Sequence, residues 1–391
     1  MEFTQRLEPE FYRAVQADVR DRLQPAGLDA LVLDHPEDVA YLTGFFHHPC
    51  ERPVVVNLDA TGGATLLVPE LEREHAEVQR SEAEIVTYPE FPGVRSPFDV
   101  LAGAVRPGRR VGLSPEMTLA RHRRLRDSFP GAELVETDLV TRARYVKRPE
   151  EVALHQEAAR ITDRMLAAGI ALIEDTVRKG APFPSEAELA SHVGSVGVET
   201  MYSEHADVVV SGFLAGGLVY SGPNSAKPHG LPSAHRLRVG ETFMLSLGCA
   251  VGGRYVEGER TFVLGEPTAE QIRYYEAVQA AQQTGSDTLR PGITCAEANR
   301  QCLQVIRDAG LGQFIQHRQG HGIGLGMHEP PWLEDGDDTV LEAGFVVSNE
   351  PGIYIPGHAG YRISDSMIIT NEGAQPFTSY PKQLDDVIVA A

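Results

Sequence analysis

Six ionisable side chains in the second half of the chain interrupt strand-like or glycine-rich sequence: His229, Glu257, Glu259, His321, His328 and Glu350. His229 lies in the turn-rich loop Ser221–Gly230. Glu257 and Glu259 share one face of an alternating strand, opposite Val256. Two carboxylates on one face repel unless a cation, a proton or a basic partner sits between them. His321 stands between Gly320 and Gly322, which let the backbone come close to whatever the imidazole touches. His328 follows seven residues later, too far for a one-turn helical ligand pair but within reach in an extended or looped site. Glu350 precedes Pro351-Gly352, and Ser364-Asp365 follows Gly360-Tyr361-Arg362-Ile363.

Plainer readings stand beside these. A histidine in a turn, such as His229, serves as a surface or capping residue. Glu257 and Glu259 form an exposed strand face neutralised by Arg254 and Arg260. Glu350 supplies turn chemistry ahead of Pro351. His321 stands out because the glycine density of Gly-His-Gly-Ile-Gly has no evident packing purpose.

The elements that must position these groups fall into two textures. Up to about residue 147, short apolar runs alternate with amphipathic stretches. A helix over 10–26 ends at Pro25-Ala26-Gly27, and Leu28–Leu33 reads as a buried strand. Pro53–Val56 and Ala64–Val68 read as paired strands around the Asp59–Gly63 turn. Further strands over 111–113 and 133–135 flank an Arg-rich helix at 117–128. This is the pattern of a small α/β domain. Near Pro149 the texture changes: Pro149 opens a long Ala-rich helix to about 180, with Glu150 and Glu151 favourable to its dipole. The chain turns β-rich over 205–265, where Gly240–Gly248 and Tyr255–Val263 form a hairpin through Gly252-Gly253. Helices at 268–285 and 295–310 follow, and then strands to the end. The fold class is α+β, with a first domain over 1–148 and a catalytic domain over 149–391.

The 391 residues suffice for two domains, and 42% hydrophobic with 23% charged residues excludes a disordered or collagen-like chain. A formal charge of −20 repels phosphate backbones and anionic membranes, so neither nucleic acid nor membrane is expected as a partner. Cys50, Cys249, Cys295 and Cys302 form no CxxC pair, and the N-terminus carries no apolar signal segment; a cytoplasmic protein is expected.

Four motifs in order, Pro228-His229-Gly230, GHGIGLGMHEPP at 320–331, SNEPGIY at 348–354 and GYRISD at 360–365, make the chain similar to the pita-bread family of methionine aminopeptidase, aminopeptidase P, prolidase and creatinase. The resemblance covers nearly the whole chain, with residues 1–147 similar to the N-terminal domain of the aminopeptidase P, prolidase and creatinase branch. It implies a pita-bread catalytic domain. The metallopeptidase members bind two metal ions through Asp, Asp, His, Glu and Glu; the matching positions here carry Ser246, Glu257, His321, Glu350 and Ser364. Two hydroxyls leave little anionic charge for a bridged pair of ions, and the expectation is no metal cofactor, with one Mn2+ or Zn2+ as the alternative.

The active-site pattern resembles that of creatinase, which also lacks the metal centre. Its strand reads Leu-Ser-Leu with a downstream Glu-Arg-Thr, matched by Leu245-Ser246-Leu247 and Glu259-Arg260-Thr261. That resemblance implies His229 as the proton-transfer residue, with Glu259 and Glu350 holding a cationic substrate group. It also implies a homodimer in which Arg52, followed by Pro53, crosses the interface to grip the substrate carboxylate. Creatinase's second carboxylate-binding arginine lies in a stretch after the histidine motif that is shorter here.

The leading expectation is therefore a metal-independent hydrolase of a linear amidine- or amide-like C–N bond in a small carboxylated substrate. His229, Glu259 and Glu350 would be catalytic, and Arg52, His321, His328 and Glu257 would bind substrate. An Xaa-Pro metallopeptidase with an incomplete metal site is the alternative enzyme, and an inactive pita-bread binding protein the third reading.

Overall fold

The computed structural model describes residues 3–89, 95–106, 108–210 and 212–391. The chain divides into two compact units: Arg6–Arg144 with Val209–Gly212, and Tyr145–Val208 with Phe213–Ala391 and the N-terminal stretch to Gln5.

In the smaller unit, α1 (Pro9–Ala26) buries Phe11, Tyr12, Val15, Val19 and Leu23 along one stripe. It stops at Gly27, whose left-handed φ of 66° lets its N–H close back on the Leu23 and Gln24 carbonyls. Six strands form one sheet among the described residues: β1 (Ala30–Leu33), β2 (Val55–Asp59), β3 (Ala64–Pro69), β4 (Glu84–Tyr88), β5 (Arg110–Leu113) and β6 (Glu133–Glu136), in the order β4-β3-β2-β1-β5-β6. The β1/β2 and β2/β3 pairs are antiparallel and the rest parallel. Strand β2 starts two residues later than the sequence suggested. Pro53 has no N–H for a ladder, and its carbonyl instead accepts the Tyr88 hydroxyl at 3.1 Å. The α2 helix (Leu119–Ser128) packs Leu125 into a core with Val32, Val55, Leu67, Phe98 and Val111.

The larger unit opens with α3 (Pro149–Lys179), where Glu151 accepts the Arg148 N–H and Gly180 ends the helix in a left-handed turn. A second helix, α4 (Glu186–Glu204), follows where the sequence reading passed straight to strands. Its start is marked by a reciprocal cap between Ser185 and Glu188. The remaining helices, α5 (Ala269–Thr288) and α6 (Cys295–Asp308), fall where expected. The strands that build the site are β7 (Ala215–Ser221), β8 (Thr242–Val251), β9 (Arg254–Leu264), β10 (Gly320–Gly322), β11 (Glu329–Leu333), β12 (Val346–Asn349), β13 (Gly352–Ile355), β14 (Ala359–Arg362) and β15 (Ser364–Thr370). A sheet runs β11-β10-β12-β15-β9-β8-β7, and β13 pairs β14 separately. This mixed helix and strand content is the expected α+β class.

The β8–β9 hairpin turns at Gly252 and Gly253, both at positive φ, as a tight two-residue hairpin requires. Its register puts Ser246 opposite Glu259, and on the other side Glu259 lies opposite Ser364 of β15. One row across three strands therefore reads Ser246, Glu259, Ser364. Among the described residues no helix is long and apolar enough to cross a membrane.

Candidate active site

A cavity of about 700 Å³ opens over this sheet, with His229, Ser246, Glu257, Glu259, His321, His328, Glu350 and Arg362 in its wall. Its size suits a small-molecule ligand. Every lining residue belongs to the larger unit.

The row of strands explains half of the site. Glu259 is buried, and its carboxylate accepts Arg362 through both oxygens: Nη2 to Oε1 at 2.8 Å and Nε to Oε2. The Ser246 hydroxyl donates to the same Oε1. Arg362 also donates to the phenol oxygens of Tyr354 and Tyr220, each at 2.9 Å. A planar guanidinium fork matches a carboxylate in this way where a lysine would not. Both Glu259 oxygens are thus engaged within the protein, and the charge of Glu259 is balanced by Arg362. The neutralising partners expected on the hairpin are engaged elsewhere: Arg254 pairs with Glu151 at 2.9 Å and Arg260 with Asp365 at 2.8 Å.

The other half converges on His321. Its Nδ1 lies 2.9 Å from the Gly322 carbonyl, which can only accept, so this nitrogen carries the proton. Nε2 is buried with no hydrogen-bond partner, 3.4 Å from Glu350 Oε1 and 3.8 Å from Glu257 Oε2. The other Glu257 oxygen accepts the Ser364 hydroxyl at 2.9 Å. The His328 ring lies against His321, centroids 4.1 Å apart. His229 sits exposed at the rim, after Pro228, whose carbonyl is fixed by the Tyr220 hydroxyl at 3.0 Å. Arg52 belongs to the smaller unit, where Nη1 lies 2.9 Å from Glu51.

Charge is tightly coupled here. Burial, then the neighbouring Glu350, pushes the Glu257 carboxyl up to about 8. Burial alone would lower His321, but Glu257 and Glu350 raise it to about 9. Burial would likewise raise Glu350, yet its contact with His321 holds it at about 2. His328 is exposed at its outer edge; loss of solvent on its inner side and the charge of His321 push it down to about 4. Two nearly buried carboxylates around one imidazole thus keep a proton among them that a cation would displace.

The donor chemistry fits one cation. Ligand atoms of Glu257, His321 and His328 lie within 4.8 Å of one another, and Glu350 lies 3.4 Å from His321 Nε2, which makes no hydrogen bond. It does not fit two, because Ser246 and Ser364 are neutral and the negative charge of Glu259 is already balanced by Arg362. Sequence reasoning brought His321, His328, Glu257, Glu350 and His229 to one place. It missed Arg362 as the partner of Glu259, although Arg362 lay within the GYRISD motif, because 103 residues separate the two.

The chain matches metallopeptidase family M24 over residues 153–371 and the Creatinase/Prolidase N-terminal domain over residues 16–146. It is 30% identical to a Xaa-Pro dipeptidase from Lactobacillus delbrueckii subsp. lactis, over 93% of this chain and 96% of that one. Two solved structures superpose over nearly their full length. The Xaa-Pro dipeptidase from Bacillus anthracis gives a TM-score of 0.83 at 29% identity, covering 96% of this chain and 99% of that one. Dipeptidase PepE from Mycobacterium ulcerans gives 0.84 at 30% identity, covering 99% and 100%.

These likenesses correct two expectations. The creatinase-like hydrolase of a non-peptide C–N bond gives way, since the similar proteins are dipeptidases. The expectation of no metal cofactor also falls, against a metallopeptidase family and a Glu257–His321–His328 cluster of ligating type. The chain is a hydrolase with the pita-bread fold and belongs to metallopeptidase family M24, with the family's creatinase/prolidase N-terminal domain.

Proposed function

We propose that the protein is an Xaa-Pro dipeptidase working with a single divalent ion, Mn2+ or Zn2+, held by Glu257, His321 and His328 with Glu350 alongside. The observation that carries this reading is the buried, unpartnered Nε2 of His321 between two carboxylates. A divalent cation supplies Lewis acidity toward the peptide carbonyl. The chain's own groups do the rest. Ser364 orients Glu257, and the Gly322 carbonyl fixes the His321 tautomer. His229 takes a proton from the attacking water and returns it to the departing proline nitrogen as the C–N bond breaks.

Cys50, Cys249, Cys295 and Cys302 are free thiols, which supports a reducing cytoplasm. A homodimer with Arg52 supplied across its interface completes the reading, and light scattering of the purified protein tests it. The activity test is hydrolysis of glycyl-proline after chelation and after return of Mn2+ or Zn2+. Cleavage restored by metal supports the reading; cleavage of creatine-like substrates without peptide cleavage rejects it.

A further inference from the structure

The cavity wall holds two cations of different standing. Arg362 is saturated by Glu259 and the two phenols. Arg318 is not. Its guanidinium lies over the Trp332 ring at 4.2 Å from the centroid, and only Nη1 is engaged, donating to Glu334 Oε2 at 2.6 Å. Nε and Nη2 have no protein acceptor among the described residues. The group is partly exposed in the same cavity as Glu257, His321 and Glu350.

Its backbone is pinned close to the chemistry. His317 contacts the Arg318 carbonyl through Nδ1 at 2.7 Å and the Tyr354 hydroxyl through Nε2 at 2.8 Å. Trp332 is the register partner of His321 across the β10–β11 ladder, so the stacked guanidinium sits one strand away from the catalytic cluster. An arginine stacked on an aromatic face loses little further freedom when its edge meets a carboxylate.

We propose that Arg318, seated on Trp332, is the specificity-determining residue that reads the terminal carboxylate of the substrate. Glu334 moderates the grip by competing for the same guanidinium. The assignment rests on the dipeptidase reading for its substrate class, but its binding test does not need turnover.

Trp332 is the only tryptophan in the chain, so the tryptophan fluorescence arises from the ring beneath this guanidinium. The metal-loaded protein is titrated with proline and with prolinamide, which differ only in the carboxylate. Wild type is expected to bind proline about tenfold or more tightly than prolinamide, as a charge-assisted fork predicts. Arg318→Gln should lose most of this preference while keeping its melting temperature and metal content. Glu334→Gln should tighten proline binding several-fold. In turnover, Arg318→Gln should raise KM for glycyl-proline more than it lowers kcat. A wild type indifferent to the carboxylate, or an R318Q protein that keeps the preference, overturns the proposal. Absence of glycyl-proline cleavage with the proline preference intact would instead fault the dipeptidase reading alone.

Discussion

Arg362 closes on Glu259 with one nitrogen to each carboxylate oxygen, in the wall of the cavity. The pair leaves Glu259 with no net charge to offer a cation. Removing one partner strands the other charge. Glu259→Gln should destabilise the fold by about 3–5 kcal/mol, measured by urea unfolding, whereas replacing both residues by apolar ones of similar volume should cost much less. Equal losses for the single and double variants would refute the pairing as the main role of Glu259.

His229 tests the division of labour between proton transfer and metal holding. His229→Ala should lower kcat about 10²–10⁴-fold with metal content unchanged. Activity within twofold of wild type would remove it from the mechanism.

Gly285 on α5 places a helix backbone against the groups that support the site. A Cβ there would lie 2.3 Å from Asn349 Oδ1 and 2.7 Å from Gln319 Nε2. Asn349 cannot yield easily, since its Nδ2 donates to the Gln282 carbonyl and Ser286, and the Gln319 carbonyl accepts the Glu350 N–H at 2.8 Å. The helix-propensity gain of Gly→Ala is about 1 kcal/mol, less than the cost of breaking this buried network. Gly285→Ala should therefore lower both the melting temperature and metal affinity; a more stable variant with unchanged affinity would contradict this.

His155 sets an acid limit on stability. It is fully buried, stacked on Phe377, and burial first, then the charges of Lys147 and Arg254, push its imidazole down to about 3. The unfolded chain binds this proton at the ordinary value near 6.5, so unfolding takes up a proton between those limits. Stability rises with pH through this window and is lost as pH falls from about 6.5 toward 3, by at most about 5 kcal/mol. His155→Gln should flatten the dependence of unfolding free energy on pH between 4 and 6.5. An unaltered slope would assign the acid sensitivity to other groups.

What was legible in the sequence follows from the range of the forces involved. The β8–β9 hairpin could be read because alternation and the Gly252-Gly253 turn are local, and they correctly put Glu257 and Glu259 on one face. The glycines around His321 likewise announced a close backbone approach. Helix α4 was overlooked although Ser185 and Glu188 spell its cap, because its buried face mixes Leu189 and Val193 with Gly197 and Thr200. The fate of Glu259 was not legible: its partner Arg362 arrives from β14, and no local spacing encodes that meeting. Arg318 went unread for the same reason, its Trp332 platform being supplied by the neighbouring strand.

The most direct measurement is metal content against activity in one preparation. Protein stripped by a chelator and titrated with Mn2+ or Zn2+ should bind one ion per chain by calorimetry, and hydrolysis of glycyl-proline should rise in step and saturate at that equivalence. Two tightly bound ions per chain, or full peptide cleavage in the stripped protein, would contradict the account.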